Sequence, residues 1–166
     1  MMRRGSVRFL AEAFVGSVLF TGYSPIAPAT VTSLLVLVPV YFLVRLPLWH
    51  ALAVFVLFFI GVKLAGDLEK SWGRDAGRIT IDEVVGTLIT FFYIPVSVWG
   101  LIPGFFLWRF FDIVKLPFIN RSQRLPGGWG VMVDDFLAGI CANVALRVVI
   151  WLAIRLWPEV GPALLI

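Results

Sequence analysis

Charged residues are scarce in this chain. They make up only 14% of its 166 residues, whereas 60% are hydrophobic and the mean hydropathy is +0.96. Because a soluble domain is nearer half apolar, this composition excludes a soluble enzyme module and predicts a single compact membrane-embedded domain over residues 1–166. The net charge of +4 fits a protein on anionic lipid. No basic face or RNA-binding motif indicates a nucleic-acid partner.

Cysteine and histidine are nearly absent. Cys141 is the only cysteine, which excludes a disulfide framework within the chain, and no Cys-x5-Arg phosphate loop surrounds it. We therefore interpret it as a small packing residue. His50 is the only histidine, and the topology predicted from the charges puts it on the opposite side from the acidic residues, which disfavours histidine-based phosphatase chemistry. Glu12 interrupts the N-terminal apolar run, so no cleaved signal peptide is predicted.

The apolar sequence predicts an all-α, polytopic helical bundle of about four to five membrane helices. Residues 9–20 are too few to cross about 30 Å of hydrocarbon as a helix, so they predict an N-terminal interfacial or re-entrant helix, which a Pro-rich loop follows. The later apolar segments are residues 31–44, 49–65, 81–111 and 137–157. Loops are predicted at residues 63–78, where charges of both signs mix, and at residues 117–133, which are rich in glycine.

Residues 81–111 could form one helix or a hairpin. Asp82 and Asp112 are equally far from Ser97 in sequence, so a hairpin that turns near residues 95–100 returns both acids to one membrane face. A single span would separate them, and we prefer the hairpin.

The hairpin also collects most basic residues on one face. By the positive-inside rule this face is cytoplasmic. Only Arg45 and Arg155 lie clearly on the other face, and Arg147 lies within the last span. The basic residues on the predicted cytoplasmic face are Arg3, Arg4, Arg8, Lys63, Lys70, Arg74, Arg78, Arg109, Lys115, Arg121 and Arg124.

Five carboxylates lie beside or within strongly apolar sequence. Such a charge costs about 2.5–3.5 kcal/mol at the centre of a membrane helix, so charges there usually serve a site. Carboxylate oxygens are the ligands that Mg²⁺ prefers, and together they predict a Mg²⁺ site at the cytoplasmic membrane face. The predicted metal ligands are Asp82, Glu83, Asp112, Asp134 and Asp135.

Both acid pairs also have a structural interpretation. Thr80 and Glu83 fit a capping box at the start of a helix. Asp134 and Asp135 follow a Gly-rich loop, where one aspartate could cap the last helix. A second aspartate at the same point exceeds what a cap requires.

One helical face of the last span carries more than an acid. Asp135, Gly139 and Asn143 recur every four residues. Gly139 would let a neighbouring helix approach closely, and Asn143 could hydrogen-bond a ligand or that neighbour.

Arg109, Asp112 and Lys115 recur every three residues, as on one helical stripe. They could form an intrahelical ion-pair ladder. Alternatively, Asp112 serves the metal while the two cations bind phosphate oxygens. Glu12 could join the acids, and the Gly-rich loop at residues 126–130 could cradle an anion. Three hydroxyl residues could also donate to phosphate: Ser24, Thr30 and Ser33.

Four sequence blocks carry a resemblance to a known family. They are residues 24–34 (SPIAPATVTSL), 81–86 (IDEVVG), 109–115 (RFFDIVK) and 127–139 (GGWGVMVDDFLAG). In their order and combination, the chain resembles the phosphatidylglycerophosphatase A family of bacterial inner-membrane lipid phosphatases. It departs at Ala29, where the family has glycine, and at Leu116, where the family has proline.

The resemblance implies a lipid phosphatase domain in the bacterial inner membrane, with its active site facing the cytoplasm. It implies Mg²⁺-dependent hydrolysis of the terminal phosphate of the membrane phospholipid phosphatidylglycerophosphate. Within this hypothesis Glu83, Asp135 and Asp112 are the catalytic candidates, and one of the first two orients or deprotonates the attacking water. Arg109 and Lys115 steady the phosphate. An aspartyl-phosphate intermediate is the minor variant, and the oligomeric state stays open.

Three other classes of protein fit the sequence less well. A small transporter or cation-conducting protein would spread its acids through the membrane depth, whereas this topology gathers them at one face. An alcohol phosphotransferase acting on nucleotide-linked lipids would need an Asp-Gly-x2-Ala-Arg block, which the sequence lacks. A purely structural membrane protein would leave the acid pairs unexplained.

Overall fold

The computed structural model describes residues 6–74, 76–159 and 161–166, and within them the regular structure is helical. Arg3 and Arg4 lie outside these ranges. Short 3-10 turns occur at Thr21–Tyr23 and Gly161–Leu164, and an isolated bridge joins Val96 to Leu165. The α-helices are α1 (Val7–Gly16), α2 (Pro28–Leu43), α3 (Pro47–Trp72), α4 (Ile81–Thr90), α5 (Val98–Val114), α6 (Pro117–Ser122) and α7 (Gly128–Leu156).

Prolines and serines set where most of these helices begin. Pro28, Pro47 and Pro117 stand in the first turns of α2, α3 and α6, where the ring fixes φ and the missing N–H is not needed. Ser6 caps α1 by accepting from the Phe9 amide at 3.2 Å. The hydroxyl of Ser97 accepts in the same way from two amides at the start of α5.

Helix α7 is the centre of the molecule and packs against α3, α4, α5 and α6. It packs directly on α4 at Gly139, where a Cβ would lie 2.7 Å from the carbonyl oxygen of Gly86. Real Cβ atoms do not come this close to backbone. The prediction that Gly139 admits a neighbouring helix is therefore confirmed, and that helix is α4.

Helices α4 and α5 form the predicted hairpin. The chain leaves α4 after Thr90 and enters α5 at Val98, so the turn begins a few residues earlier than expected. Because α4 has only ten residues, about 15 Å of helix, it is too short to cross a bilayer alone.

Two side chains of α7 cap the end of α4. The amide of Asn143 donates to the carbonyls of Ile89, Thr90 and Phe92 at 2.9–3.1 Å. The guanidinium of Arg147 donates to Asn143 Oδ1 at 2.9 Å, and also to two carbonyls of the turn. These bonds satisfy carbonyls that a helix end leaves open, where a cation is also favoured. The charge of Arg147 thus has a structural partner, and Asn143 binds a neighbouring helix.

The predicted charged loop at residues 63–78 is wrong for its first half. Helix α3 continues to Trp72, for a length of 26 residues. Its charges fit a helix because Asp67 and Lys70 pair at 2.7 Å across one turn, while Ala65 and Leu68 are buried on another face. The charges of both signs in this segment therefore lie on the solvated face at the end of α3.

The predicted loop at residues 117–133 is likewise only partly a loop. It contains α6 and the first turn and a half of α7, which begins at Gly128. Glycine is a poor helix former, so a sequence with three glycines in four positions gave no helical signal. The close packing of Gly128 against the carbonyl of Val62, where a Cβ would lie 2.0 Å away, explains why glycine stands there.

Among the described residues, α3 and α7 are long and apolar enough to cross a membrane, each with a mean hydropathy of 2.1 over an 18-residue window. Helices α2 and α5 have 16 and 17 residues, or roughly 24–26 Å of helix. Large apolar side chains such as Phe55, Phe106 and Trp151 point outward and are exposed. The structure supports an all-helical protein with two candidate spans, and the expected four to five spans stay a prediction.

Candidate active site

Three buried carboxylates meet where α4 begins. Asp82 and Glu83 lie in the first turn of α4, and Asp135 lies in α7. Their exposed fractions are 7%, 8% and 3%. One oxygen from each lies within 4.8 Å of the other two, which is a separation that a single metal ion could bridge.

The crossing of α4 and α7 brings these acids together. Glu83 and Gly86 are one turn apart on α4, and Asp135 and Gly139 are one turn apart on α7. Since the two helices touch at Gly86 and Gly139, the acids face each other one turn from the contact.

Asp134 and Asp135 do not open the last helix, as one interpretation expected. Helix α7 starts at Gly128, so both acids lie about two turns inside it. A side chain this far from the end cannot cap the first amide groups, and the capping explanation of this pair is wrong.

The capping box at Thr80 is also absent. Thr80 stands at the N-cap of α4 but makes no side-chain cap hydrogen bond, and its buried hydroxyl oxygen has no hydrogen-bond partner among the described residues. The amide of Glu83 instead donates to Asp82 Oδ1 at 3.1 Å. The two carboxyl groups still benefit from the positive end of the helix dipole.

The fourth acid, Asp134, is held by two donors from other parts of the chain. Lys115 Nζ lies 2.5 Å from Asp134 Oδ2, and the side-chain amide of Gln123 donates to the same oxygen at 2.8 Å. The predicted ion-pair ladder therefore forms only in part. Arg109 pairs with Asp112 at 2.7 Å on α5, whereas Lys115 turns across to α7.

Burial controls the ionisation of the acids and of their cation. It raises the pKa of Glu83 to about 8; the hydrogen bond with Asp82 opposes this rise, and the carboxylates of Asp135 and Asp112 add to it. Burial also disfavours the charged form of Lys115, but the bond to Asp134 and the surrounding carboxylates outweigh it and raise the pKa of the ammonium. A divalent cation would stabilise the ionised acids in the same way.

The donor set fits a hard divalent cation. Glu83 Oε2 and Asp135 Oδ2 are buried without a hydrogen-bond partner among the described residues, although buried polar atoms are normally bonded. Both are carboxylate oxygens, the ligand type of Mg²⁺. Five carboxyl groups face two cations here, so the ionised cluster has an excess of negative charge that a metal would offset.

Two of the three predicted hydroxyl donors, Ser24 and Ser33, have structural contacts. Ser24 donates to the carbonyl of Ile26 at 2.9 Å. Ser33 is buried and accepts from the indole N–H of Trp108 at 3.1 Å. Thr30 lies half-buried in the first turn of α2. Their assignment to phosphate stays a prediction.

Two further predicted roles concern residues on α1 and α3. Glu12 pairs with Arg8 at 2.8 Å on α1. His50 Nε2 donates to the carbonyl of Leu88 at 2.9 Å, nearer the other end of α4 than the acids.

Sequence reasoning missed two residues that shape the site. Gln123 reaches Asp134 from the loop before α7, and a neutral amide in a loop gives no sequence signal for this. Trp108 is fully buried against Gly86, where a Cβ would lie 2.0 Å from the indole ring. Trp108 directly precedes Arg109, the first residue of one of the four sequence blocks. Its place beside that block was the available signal.

The fold and the site define an all-helical protein with a buried acidic centre flanked by cations. Comparison with known proteins shows that it is an enzyme, a phosphatase. Residues 14–150 match the sequence model of the family described as Phosphatidylglycerophosphatase A. The chain belongs to the phosphatidylglycerophosphatase A family.

Two individual relatives carry the name of this family. The chain is 34% identical over 125 residues to the phosphatidylglycerophosphatase A of Escherichia coli, covering 72% of each protein. It is 38% identical over 104 residues to that of Haemophilus influenzae, covering 60% of each. A Bacteroides thetaiotaomicron protein with the provisional name phosphatidylinositol-3-phosphatase is 38% identical over 146 residues, covering 82% of this chain and 92% of the relative. No solved structure matches the chain.

Proposed function

We propose that this protein is a Mg²⁺-dependent, multi-pass phosphatase of the bacterial inner membrane. It hydrolyses the terminal phosphate of phosphatidylglycerophosphate, giving phosphatidylglycerol and inorganic phosphate. The observation that carries the proposal is the buried cluster of Asp82, Glu83 and Asp135, whose oxygens lie within 4.8 Å of one another. The names of two relatives support the substrate.

In this proposal Asp82, Glu83 and Asp135 hold the metal, and Asp112 and Asp134 lie beside it as further candidate ligands. Bound there, Mg²⁺ would neutralise phosphate charge and lower the pKa of a water molecule. The unpartnered oxygens of Glu83 and Asp135 support this assignment.

The two cations of the site neutralise charge on the phosphate. Arg109 and Lys115 are both held by acids of the site, at 2.7 and 2.5 Å. Their positions are therefore fixed before the substrate arrives, and little reorganisation is needed as charge develops on the phosphate oxygens. Arg109 can use two N–H groups of its fork, whereas Lys115 acts as a point charge.

Glu83 or Asp135 accepts the proton of the attacking water. The water oxygen forms a bond to phosphorus while the bond from phosphorus to the lipid alcohol oxygen breaks. The carboxylate takes one proton from the water and passes a proton on to the departing alcohol oxygen, so that an alcohol and inorganic phosphate result and the carboxylate is regenerated.

The charge distribution supports a cytoplasmic site. The carboxyl end of α3, the start of α4, the end of α5 and the start of α7 lie together, since Gly66 packs on Gly128 and Lys115 binds Asp134. These ends carry most of the basic residues, as positive-inside topology requires of a cytoplasmic face.

A phosphoinositide monoester is the second candidate substrate. The relative with the provisional phosphatidylinositol-3-phosphatase name shares 38% identity over 92% of its own length. Both lipids present a phosphate monoester on a polyol, so the same carboxylates and cations would serve either.

A transporter or cation-conducting protein is the rival class. Such a protein needs charged groups through the membrane depth, whereas the five acids here lie at neighbouring helix ends. Thiol labelling of cysteines introduced at positions 82 and 134 would distinguish the enzyme from the conducting protein. Labelling from the cytoplasmic side only supports the enzyme, and labelling from both sides supports a conducting path.

The decisive experiment measures phosphate release by the purified protein in mixed micelles. The panel is phosphatidylglycerophosphate, phosphatidylinositol phosphate and phosphatidate, each with Mg²⁺ or with a chelator. We expect fast, Mg²⁺-dependent release from the first lipid. No release from any phosphate monoester would overturn the enzyme assignment. Equal release with and without chelator would overturn the proposed dependence on Mg²⁺.

A further inference from the structure

A polar cleft opens beside the carboxylate site, on the side of the loops. It consists of two adjoining cavities of about 410 and 430 Å³. Asn120 and Gln123 line the first cavity, and Lys70 lines the second. The residues that line both are Glu69, Arg74, Arg124, Leu125 and Gly127.

One residue joins this cleft to the carboxylates. The side chain of Gln123 donates to Asp134 at 2.8 Å, and its backbone carbonyl accepts from the guanidinium of Arg74 at 2.8 Å. Gly130 and Val131 also line the cleft, one helical turn before Asp134 and Asp135 on α7. The cleft therefore adjoins the site through Gln123 and the first turn of α7.

The lining suits a phosphate group. Arg74 and Arg124 are exposed and offer the fork-shaped donors that match phosphate oxygens. The side-chain amides of Asn120 and Gln123 can donate to ester oxygens or hydroxyls, and the carboxylate of Glu69 can accept from a hydroxyl. Even with Glu69 counted, positive charge exceeds negative charge in the lining.

We propose that this arginine cleft, formed by Glu69, Arg74, Asn120, Gln123 and Arg124, binds a second phosphate group outside the catalytic carboxylates. The inference rests on the proposed function and deepens it. The group has one of two sources, the phosphodiester of the bound lipid headgroup or the inorganic phosphate released by the reaction. Both candidate substrates carry a phosphodiester separated from the terminal phosphate by a polyol, and the amide of Gln123 lies between the two subsites.

The test compares Arg74→Gln and Arg124→Gln with a matched control. Arg121→Gln removes an exposed arginine of α6 that lines neither cavity. Arg124→Lys keeps the charge and tests rescue, and gel filtration in detergent checks that each variant is folded. Each variant is assayed with phosphatidylglycerophosphate and with phosphatidate, which has a terminal phosphate and no phosphodiester.

Two patterns support the proposal and identify the source. If the lipid phosphodiester occupies the cleft, KM for phosphatidylglycerophosphate rises about tenfold in Arg74→Gln and Arg124→Gln, with kcat nearly unchanged. KM for phosphatidate then stays constant. If free phosphate occupies the cleft, KM stays constant for both lipids, and the inhibition constant of inorganic phosphate rises about tenfold.

A binding measurement completes the test without turnover. Isothermal titration of the wild-type protein uses inorganic phosphate and glycerophosphoglycerol, a soluble phosphodiester without a terminal phosphate. We expect one of the two to bind, and to bind about tenfold more weakly in the arginine variants. If Arg74→Gln and Arg124→Gln match Arg121→Gln in kinetics and in titration, the cleft is no anion site. Failure of the wild-type protein to hydrolyse any lipid overturns the proposed function. In that case the titration still tests whether the cleft binds an anion.

Discussion

Lys115 Nζ lies 2.5 Å from Asp134 Oδ2 and joins the end of α5 to the second turn of α7. This bond ties both arms of the acidic centre together, because Asp112 lies one turn before Lys115 and Asp135 follows Asp134. It also gives one of the two cations of the site a fixed position.

Lys115→Met should remove that tie. Asp134 keeps Gln123 as a donor, so we expect a loss of about 1.5–3 kcal/mol of stability, the usual range for a hydrogen bond to a charged group. Activity should fall by about a hundredfold or more, as for loss of one donor to developing charge. Thermal unfolding in detergent and phosphate release measure the two effects. Lys63→Met, at an exposed lysine of α3 that lines neither cavity of the cleft, is the control, and an equal loss of activity there would contradict the assignment.

Asp82→Asn and Asp135→Asn should abolish phosphate release while leaving the fold intact. Each change removes a buried negative charge from a crowded cluster, so without metal the variants should unfold at the same temperature as the wild type or at a higher one. Mg²⁺ should raise the unfolding temperature of the wild type only, since ligand binding stabilises the folded state.

The control for this pair is Glu159→Gln, which removes an exposed acid near the C-terminus. It should keep both activity and the response to Mg²⁺. A normal Mg²⁺ response in Asp135→Asn would remove that residue from the metal site.

Gly139→Ala should separate α4 from α7. The new Cβ would lie 2.7 Å from the carbonyl of Gly86, and relieving such a contact typically costs about 1–3 kcal/mol. Because the acids face each other one turn away, activity should fall together with thermal stability. Gly77→Ala is the control, since a Cβ at Gly77 meets nothing within 4 Å. Retention of full stability in Gly139→Ala would contradict this packing.

Asn143→Leu should uncap α4. The substitution removes the amide donor of the Thr90 carbonyl and one of two donors to each of the carbonyls of Ile89 and Phe92. An unsatisfied buried group costs about 1–3 kcal/mol. The unfolding temperature should drop, and kcat should fall because α4 carries Asp82 and Glu83. Asn143→Gln, which keeps an amide, should lose less of both, and an equal loss in the two variants would show that side-chain shape matters rather than the hydrogen bonds.

The hairpin and the meeting of the acids could be predicted from the sequence. Equal spacing of Asp82 and Asp112 from Ser97 sets their return to one end, and apolar flanks on every acid indicate burial. Helix ends could not be placed as well. The continuation of α3 past Lys63 could not be predicted, because the charges on one face of this helix resemble those of a loop. The early start of α7 could not be predicted either, because Gly128 is a poor helix former that is retained for close packing.

The sequence by itself determined an all-helical, strongly apolar protein with five acids and their counter-charges near one end. Those properties follow from composition and from local spacing along single helices. Only the tertiary structure decided which partners meet: Lys115 with Asp134 rather than with Asp112, Gln123 between the acids and the arginine cleft, and Asn143 with Arg147 at the end of α4. These contacts bring side chains of α7 against the end of α5, the loop before α7 and the end of α4. They depend on how the helices pack against one another, which no local pattern of charge or hydropathy specifies.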